Sequence, residues 1–266
     1  MYITVLLVAF TCVISYKGLK DELFLNKYAF EVEKITIYKE YIRLISSGFL
    51  HVNWLHLVVN MFVLWAFGSG LEARLGVVGF LVIYFSSMLG GNLLALLIHK
   101  HNESYSSVGA SGAVAGLIFA SIALVPGLKI FFLPSWIFGI AYVLYTIYAI
   151  RSQRTDVGHA AHLGGALIGM TIAILMFPDV LINNWLPIVA ILLPGIALIV
   201  IMIRKPDLIL IDKRTQKKQL TTDDRYNVSK RNYQEEVDRI LEKINQKGMS
   251  SLTKKEKEIL NEYSRT

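Results

Sequence analysis

The sequence contains a single cysteine, Cys12, which lies in an apolar segment near the N-terminus. One cysteine cannot form a disulfide within the chain, and it cannot supply the several thiolates of a cysteine-based zinc site. A disulfide-stabilised fold and an intrachain thiolate zinc site are therefore both excluded.

Charged residues are also scarce. They make up 18% of the 266 residues, against about 25% in a typical soluble domain. Hydrophobic residues make up 54%, and the mean hydropathy is +0.50. Residues 204–266 alone hold 16 Lys or Arg and 11 Asp or Glu. A basic tail of this kind is more typical of a membrane surface or of solvation than of nucleic-acid binding. We therefore predict an integral membrane protein that contacts the lipid bilayer and no nucleic acid.

Seven segments are apolar enough to cross a bilayer, which requires about 20 residues of helix. The seventh contains Pro187 and Pro194, which indicate a kink or a partly re-entrant segment. The segments are Met1–Tyr16, Leu44–Leu71, Val77–Ile98, Ser104–Leu128, Ile130–Ile150, Val157–Pro178 and Val180–Ile203.

The predicted fold class is an all-α polytopic membrane helix bundle with three parts. A six-span core covers residues 1–178, a seventh span covers 179–203, and a basic polar linker with a short helical hairpin covers 204–266. In the tail, Thr253 and Glu256 have the spacing of a capping box that opens the second helix of the hairpin. We interpret the hairpin as a docking or regulatory unit.

Strongly polar side chains are costly inside a membrane, so each is a candidate functional residue. His56 and Asn60 lie one helical turn apart near the start of the second span, Ser111 near the start of the fourth and His162 near the start of the sixth. Even-numbered spans cross in the same direction, so these groups should lie within roughly 10–15 Å of one membrane face. A serine, a histidine and two hydrogen-bond donors at one depth are the groups that acyl transfer requires.

One other interpretation of the histidines is a zinc site. His51, His56, His159 and His162 could together bind zinc, but no H-E-x-x-H motif accompanies them, and we predict no metal and no cofactor. Ser111 is not in the G-x-S-x-G motif of soluble hydrolases, because Ala113 occupies the second glycine position.

Five ordered motifs between about Arg43 and Gly169 resemble the rhomboid intramembrane serine proteases. The motifs are Arg43-Leu44-Ile45-Ser46-Ser47-Gly48-Phe49-Leu50-His51, His56-x-x-x-Asn60, Gly68-x-x-Leu71-Glu72-x-Arg74-x-Gly76, Gly109-Ala110-Ser111-Gly112 and Ala161-His162-Leu163-Gly164-Gly165. The chain departs from the family pattern at Ile42, where a tryptophan often precedes the arginine, and at Ala115, where some members have an aromatic residue.

The resemblance implies a six-helix protease core in which Ser111 is the nucleophile and His162 the general base, with no third carboxylate. It assigns the oxyanion hole to His56, Asn60 and the backbone N–H of Ser111. Arg43 would belong to the loop after the first span, whereas Glu72 and Arg74 would brace the opposite end of the second helix. The motif residues with structural roles would be Arg43, His51, Glu72, Arg74, Gly109, Gly112, Gly165 and Gly169.

The expected function is hydrolysis of peptide bonds in or next to the transmembrane segments of membrane protein substrates through a Ser-His dyad. Three alternatives remain open: a catalytically inactive relative that binds client proteins, a channel or transporter, and a metal-dependent intramembrane protease. Nothing in the sequence indicates an oligomeric state.

The orientation in the membrane has two readings. The connections after spans one, three and five carry 9 Lys or Arg, and those after spans two, four and six carry 2. The positive-inside rule would therefore place the site face in the cytoplasm. The family resemblance implies the reverse, and we expect a plasma or inner membrane with the active site opening to the extracytoplasmic side.

Overall fold

A computed structural model describes residues 2–130, 132–151, 158–204, 233, 236–246 and 248–263 of the chain. The predicted linker over residues 205–232 lies outside the described residues. Helices α1 (Tyr2–Lys20), α5 (Trp54–His99), α8 (His159–Met176) and α10 (Trp185–Arg204) are long and apolar enough to cross a membrane. Helices α6 (Ser111–Leu124) and α7 (Ser135–Arg151) are shorter and also apolar. The prediction of an all-α polytopic bundle is confirmed.

Helix α5 contains two predicted spans, because the chain changes direction at Gly76. This glycine has a φ of +71°, a left-handed conformation that glycine adopts without the steric cost of a Cβ atom. The two halves of α5 run antiparallel, since Asn92 in the second half donates to the carbonyl oxygen of Leu44, ahead of the first half, at 2.8 Å.

Two predicted spans begin later than the sequence indicated. The second was expected to begin at Leu44, but helix α5 begins at Trp54, where the side chain of Asn53 accepts the N–H of His56 at 2.7 Å. The fourth was expected to begin at Ser104, but α6 begins at Ser111. In both places an uncharged segment forms short elements and loop ahead of the helix instead of extending it.

The segment between α1 and α5 folds into short elements. They are α2 (Glu22–Tyr28), β1 (Phe30–Glu31), α3 (Val32–Thr36), α4 (Arg43–Ser46) and a 3₁₀ turn (Ser47–Phe49). Strand β1 pairs antiparallel with β2 (Ser106–Ser107), just ahead of α6. The buried guanidinium of Arg43 donates to the carbonyl oxygens of Asn26 and Ala29 at 2.7 and 2.8 Å, so this side chain ties together the loop after α1.

Helices α5, α6 and α8 form the centre of the bundle, and α1, α7 and α10 lie around them. A short hairpin of β3 (Lys129–Ile130) and β4 (Leu133–Pro134) joins α6 to α7, and α9 (Asp179–Asn183) precedes α10. Glu72 anchors the start of α1, because its carboxylate accepts the N–H and the hydroxyl of Thr4 at 2.9 and 2.7 Å.

The described residues of the tail form two helices. Helix α11 covers residues 236–246 and α12 covers Lys254–Tyr263. The capping box is confirmed: Thr253 N–H donates to Glu256 at 2.7 Å, and Glu256 N–H donates to the Thr253 hydroxyl at 3.3 Å. A salt bridge of 2.9 Å between Lys243 and Glu256 joins the two helices.

Candidate active site

Ser111 is the first residue of α6 and follows a tight turn. Gly109 in this turn has a φ of +141°, which residues with a side chain rarely adopt. The N–H of Gly109 donates to the carbonyl oxygen of Ser47 at 3.0 Å, and the N–H of Ala110 donates to Nε2 of His51 at 3.4 Å. The loop ahead of α5 therefore holds the turn that presents Ser111.

His162 lies in the first turn of α8 and contacts Ser111 directly. The distance between its Nε2 and the Oγ of Ser111 is 2.5 Å. A neutral imidazole with an unprotonated Nε2 accepts the serine proton in this geometry. Both side chains are half-buried, and no carboxylate of the described residues is hydrogen-bonded to His162.

Glycines allow α6 and α8 to approach closely enough for this contact. A Cβ atom at Gly165 would overlap the carbonyl oxygen of Gly112, and one at Gly169 would overlap that of Gly116. Small residues at such positions let two helix backbones meet. Gly165 and Gly169, two of the motif glycines, thus lie at the contact between the two helices that carry Ser111 and His162.

His56 lies beside Ser111, whereas the Asn60 amide is hydrogen-bonded elsewhere. A Cβ atom at Gly109 would lie 2.9 Å from Cε1 of His56 and 3.5 Å from Oγ of Ser111, so the imidazole and the hydroxyl flank the same glycine. The amide of Asn60 is buried and donates to the carbonyl oxygen of His56, one turn earlier, at 2.9 Å. The structure thus brings His56 to Ser111, and it places Asn60 one turn farther along α5.

A cavity of about 20 Å³ adjoins Ser111 and His162. This is room for about one water molecule. Ser47 and Asn92 supply polar groups to its lining. Ser47 belongs to the first of the five sequence motifs but had no predicted role, and Asn92, which belongs to no motif, was missed.

The remaining candidates lie away from Ser111 or have other contacts. Arg74 is exposed, and no described residue pairs with it, so the predicted brace at the end of the first half of α5 involves Glu72 alone. The His159 ring lies 6.4 Å from the His162 ring and 6.1 Å from the Tyr145 ring, measured between centroids. Within the described part of the chain, no three His, Cys, Asp or Glu side chains are grouped to hold a metal ion.

Comparisons with known proteins match this chain to two family models and to several relatives. The model of the Rhomboid domain matches residues 38–179, and that of a family of unknown function (DUF6576) matches residues 220–266. Rhomboid protein 1, mitochondrial, of Saccharomyces cerevisiae is 32% identical over 160 residues, which are 55% of this chain and 44% of that protein.

Two further relatives show similar coverage. Presenilin-associated rhomboid-like protein, mitochondrial, of Homo sapiens is 34% identical over 135 residues, covering 48% of this chain and 36% of the relative. Rhomboid-like protein 11, chloroplastic, of Arabidopsis thaliana is 34% identical over 151 residues, covering 51% of this chain and 53% of the relative. The chain therefore spans about half the length of these relatives, or less.

Proposed function

The chain belongs to the rhomboid family, and on that premise we propose that it is an intramembrane serine endopeptidase. Its substrates are membrane proteins, which it cleaves in or next to their transmembrane segments. The observation that carries the proposal is the 2.5 Å contact between Ser111 Oγ and His162 Nε2. This contact supplies a nucleophile together with the base that activates it.

The reaction begins with acylation of the serine. Oγ of Ser111 attacks the peptide carbonyl carbon while Nε2 of His162 takes the hydroxyl proton. The tetrahedral intermediate collapses when the C–N bond breaks, and His162 returns the proton to the departing amine. The N-terminal part of the substrate remains as an ester on Ser111.

Hydrolysis of the ester uses the same two residues in reverse roles. A water molecule in the 20 Å³ cavity would lie next to both Ser111 and His162. His162 takes one proton from the water while the water oxygen attacks the ester carbonyl carbon. The proton then passes from His162 to Oγ of Ser111. The products are a carboxylic acid and the free enzyme.

The oxyanion needs hydrogen-bond donors that face the attacked carbonyl. The backbone N–H of Ser111 is at the start of α6, where N–H groups have no partner within the helix. The His56 ring flanks the same turn and supplies a second donor. We assign the third to the Asn60 amide, which must exchange its bond to the His56 carbonyl oxygen for one to the oxyanion.

A transmembrane substrate must unwind locally before Ser111 can reach a peptide bond in it. A helix satisfies its own carbonyl groups, so a bond within it is accessible only where the helix opens. We therefore expect residues of low helix propensity near the cut and a small residue before it.

We assign the protein to a plasma or inner membrane, with the site opening to the extracytoplasmic side. The family match and the apolar helices support a multi-pass membrane location. The names of the relatives place those proteins in mitochondria and in a chloroplast, so they do not support this particular membrane. Fractionation of the source cells, with an antibody to the tail, tests the assignment.

Cleavage of a tagged transmembrane substrate by purified protein tests the proposed activity. We expect wild type to cleave and Ser111→Ala and His162→Ala to lose nearly all activity. Thr171→Ala is a matched control on α8, because its hydroxyl bonds only to the carbonyl oxygen of Leu167 in its own helix. Undiminished cleavage by folded Ser111→Ala would exclude the serine mechanism. Loss of wild-type cleavage with a chelator would indicate a metal enzyme, and solute flux that survives Ser111→Ala would indicate a transporter.

A further inference from the structure

A cavity of about 830 Å³ lies far from Ser111, at the opposite end of the bundle. The first half of α5, the end of α6 and the start of α7 surround it. Its lining is mostly apolar and includes Phe62, Phe67, Ile118, Leu128 and Phe138. Its volume is within the range of sites that bind small molecules.

Helix α6 is short and ends at this cavity. Its 14 residues rise about 21 Å, whereas the hydrocarbon core of a bilayer is about 30 Å thick. Its last residue, Leu124, lines the cavity together with Val125 and Leu128, which follow the helix. An apolar lining of this kind fits an acyl chain.

The charges around the cavity are all positive. Arg74 and Lys129 are both exposed and both contribute to its lining, which contains no acidic residue among those described. They are also the two Lys or Arg that the sequence places in the connections after spans two, four and six. The nearest acidic group along α5, Glu72, is buried and bonded to the start of α1.

We propose that this cavity binds a membrane phospholipid with an anionic headgroup. An acyl chain lies along the apolar lining, and the headgroup phosphate lies between Arg74 and Lys129. Basic pockets between transmembrane helices recognise anionic headgroups in this way.

A substrate helix is the competing occupant, and charge argues against it. In the proposed orientation this face is cytoplasmic, where transmembrane segments carry Lys and Arg at their ends. Such a segment would bring like charges to Arg74 and Lys129, whereas a phosphate brings the opposite charge.

Native mass spectrometry of the delipidated full-length protein, titrated with phosphatidylglycerol or with phosphatidylcholine, tests the charged part of the site. We expect phosphatidylglycerol to bind more tightly, and Arg74→Gln and Lys129→Gln each to weaken its binding roughly five-fold. Lys100→Gln removes an exposed cation at the other end of the bundle and should change nothing. Equal binding of the two lipids, or an equal loss in Lys100→Gln, would overturn the proposal.

Gly70 allows a test of the apolar part. It contributes to the cavity lining, and a Cβ atom there would meet no atom within 4 Å. Gly70→Leu should therefore place its side chain in the cavity and weaken binding of both lipids, while Gly70→Ala should bind them as wild type does. Wild-type lipid binding by Gly70→Leu would refute the proposal. If that variant also lost cleavage in lipid-free detergent, the cavity would instead be assigned to a substrate helix.

Discussion

The hydroxyl oxygen of Ser15 lies 2.8 Å from Nδ1 of His51, although the two residues are 36 positions apart. Ser15 has one hydroxyl proton, which it donates to the carbonyl oxygen of Phe49 at 2.8 Å. Nδ1 of His51 must therefore carry a proton and donate it to Ser15. This leaves Nε2 as the acceptor for the Ala110 N–H, one residue before Ser111.

We predict that Ser15→Ala lowers both stability and activity. The substitution leaves the Nδ1–H of His51 and the carbonyl oxygen of Phe49 buried without a partner, which costs about 1–3 kcal/mol of unfolding free energy. It also loosens the ring that holds the Ala110 N–H, so kcat should fall several-fold. Thr11→Ala is the control, since the Thr11 hydroxyl bonds only to Leu7 in its own helix and should matter little. Identical unfolding curves and cleavage rates for the two variants would contradict a role for the hydrogen bonds that link Ser15 through His51 to Ala110.

The sequence was a good guide where motifs and apolar length carried the information. The membership in the family, the bundle and the capping box were all predictable, because each depends on local pattern. The start of α5 at Trp54 was not, because an uncharged segment can continue a helix or pack beside one. Ser15 was missed for a related reason: a serine in a membrane helix usually bonds back to its own backbone, and only the fold shows that this one reaches His51.

The contact between α6 and α8 should tolerate no additional side-chain atoms. At Gly165 a methyl group would overlap the carbonyl oxygen of Gly112. Because this atom belongs to the helix backbone, it cannot move aside as the end of a flexible side chain would. We expect Gly165→Ala to cost at least about 2 kcal/mol and to separate Ser111 from His162, with loss of cleavage. Gly70→Ala also adds a methyl group within a helix, but into open space, and should unfold no more easily than wild type. Wild-type cleavage by Gly165→Ala would show that the helices need no such close approach.

We predict that the tail follows the last span on the same membrane face as the active site. At the start of α10, Asn184 donates to the carbonyl oxygen of Ala123 near the end of α6, at 3.0 Å. Near its other end, Met202 packs on the cluster that contains Ala160 and Ala161, beside His162. Helix α10 therefore runs from one end of the bundle to the other.

Labelling with a membrane-impermeant maleimide checks this topology in sealed vesicles. Each variant carries a single cysteine in a Cys12→Ser background. Gln246→Cys in the tail and Lys20→Cys at the site end of α1 should react with the reagent from the same side of the membrane. Asn183→Cys, at the other end of the bundle, should react only from the opposite side. All three positions are exposed. Labelling of Gln246→Cys from the Asn183 side would show that the seventh segment does not cross.

The tail hairpin should open in acid because of one carboxylate. Hydrogen bonds from Nζ of Lys243, followed by the one from the Thr253 N–H, lower the pKa of Glu256 from 4.5 to about 2. A carboxylate with a depressed pKa stabilises the fold above its unfolded pKa, and this contribution disappears as it becomes protonated. The hairpin should therefore keep its stability above about pH 4.5 and lose it between there and about pH 2.

Methyl NMR of Ile240 in the full-length protein reports this opening, because its side chain is fully buried in the hairpin region. We expect its resonance to shift towards the random-coil position over that pH window in wild type. Glu256→Gln should show no such transition and should already be destabilised at neutral pH, because an amide cannot pair with Lys243 as a charge. Glu242→Gln is the matched control, since Glu242 is an exposed carboxylate that accepts only from Gln246, one turn along α11. If Glu242→Gln removed the transition and Glu256→Gln kept it, the ion pair with Lys243 would not be what closes the hairpin.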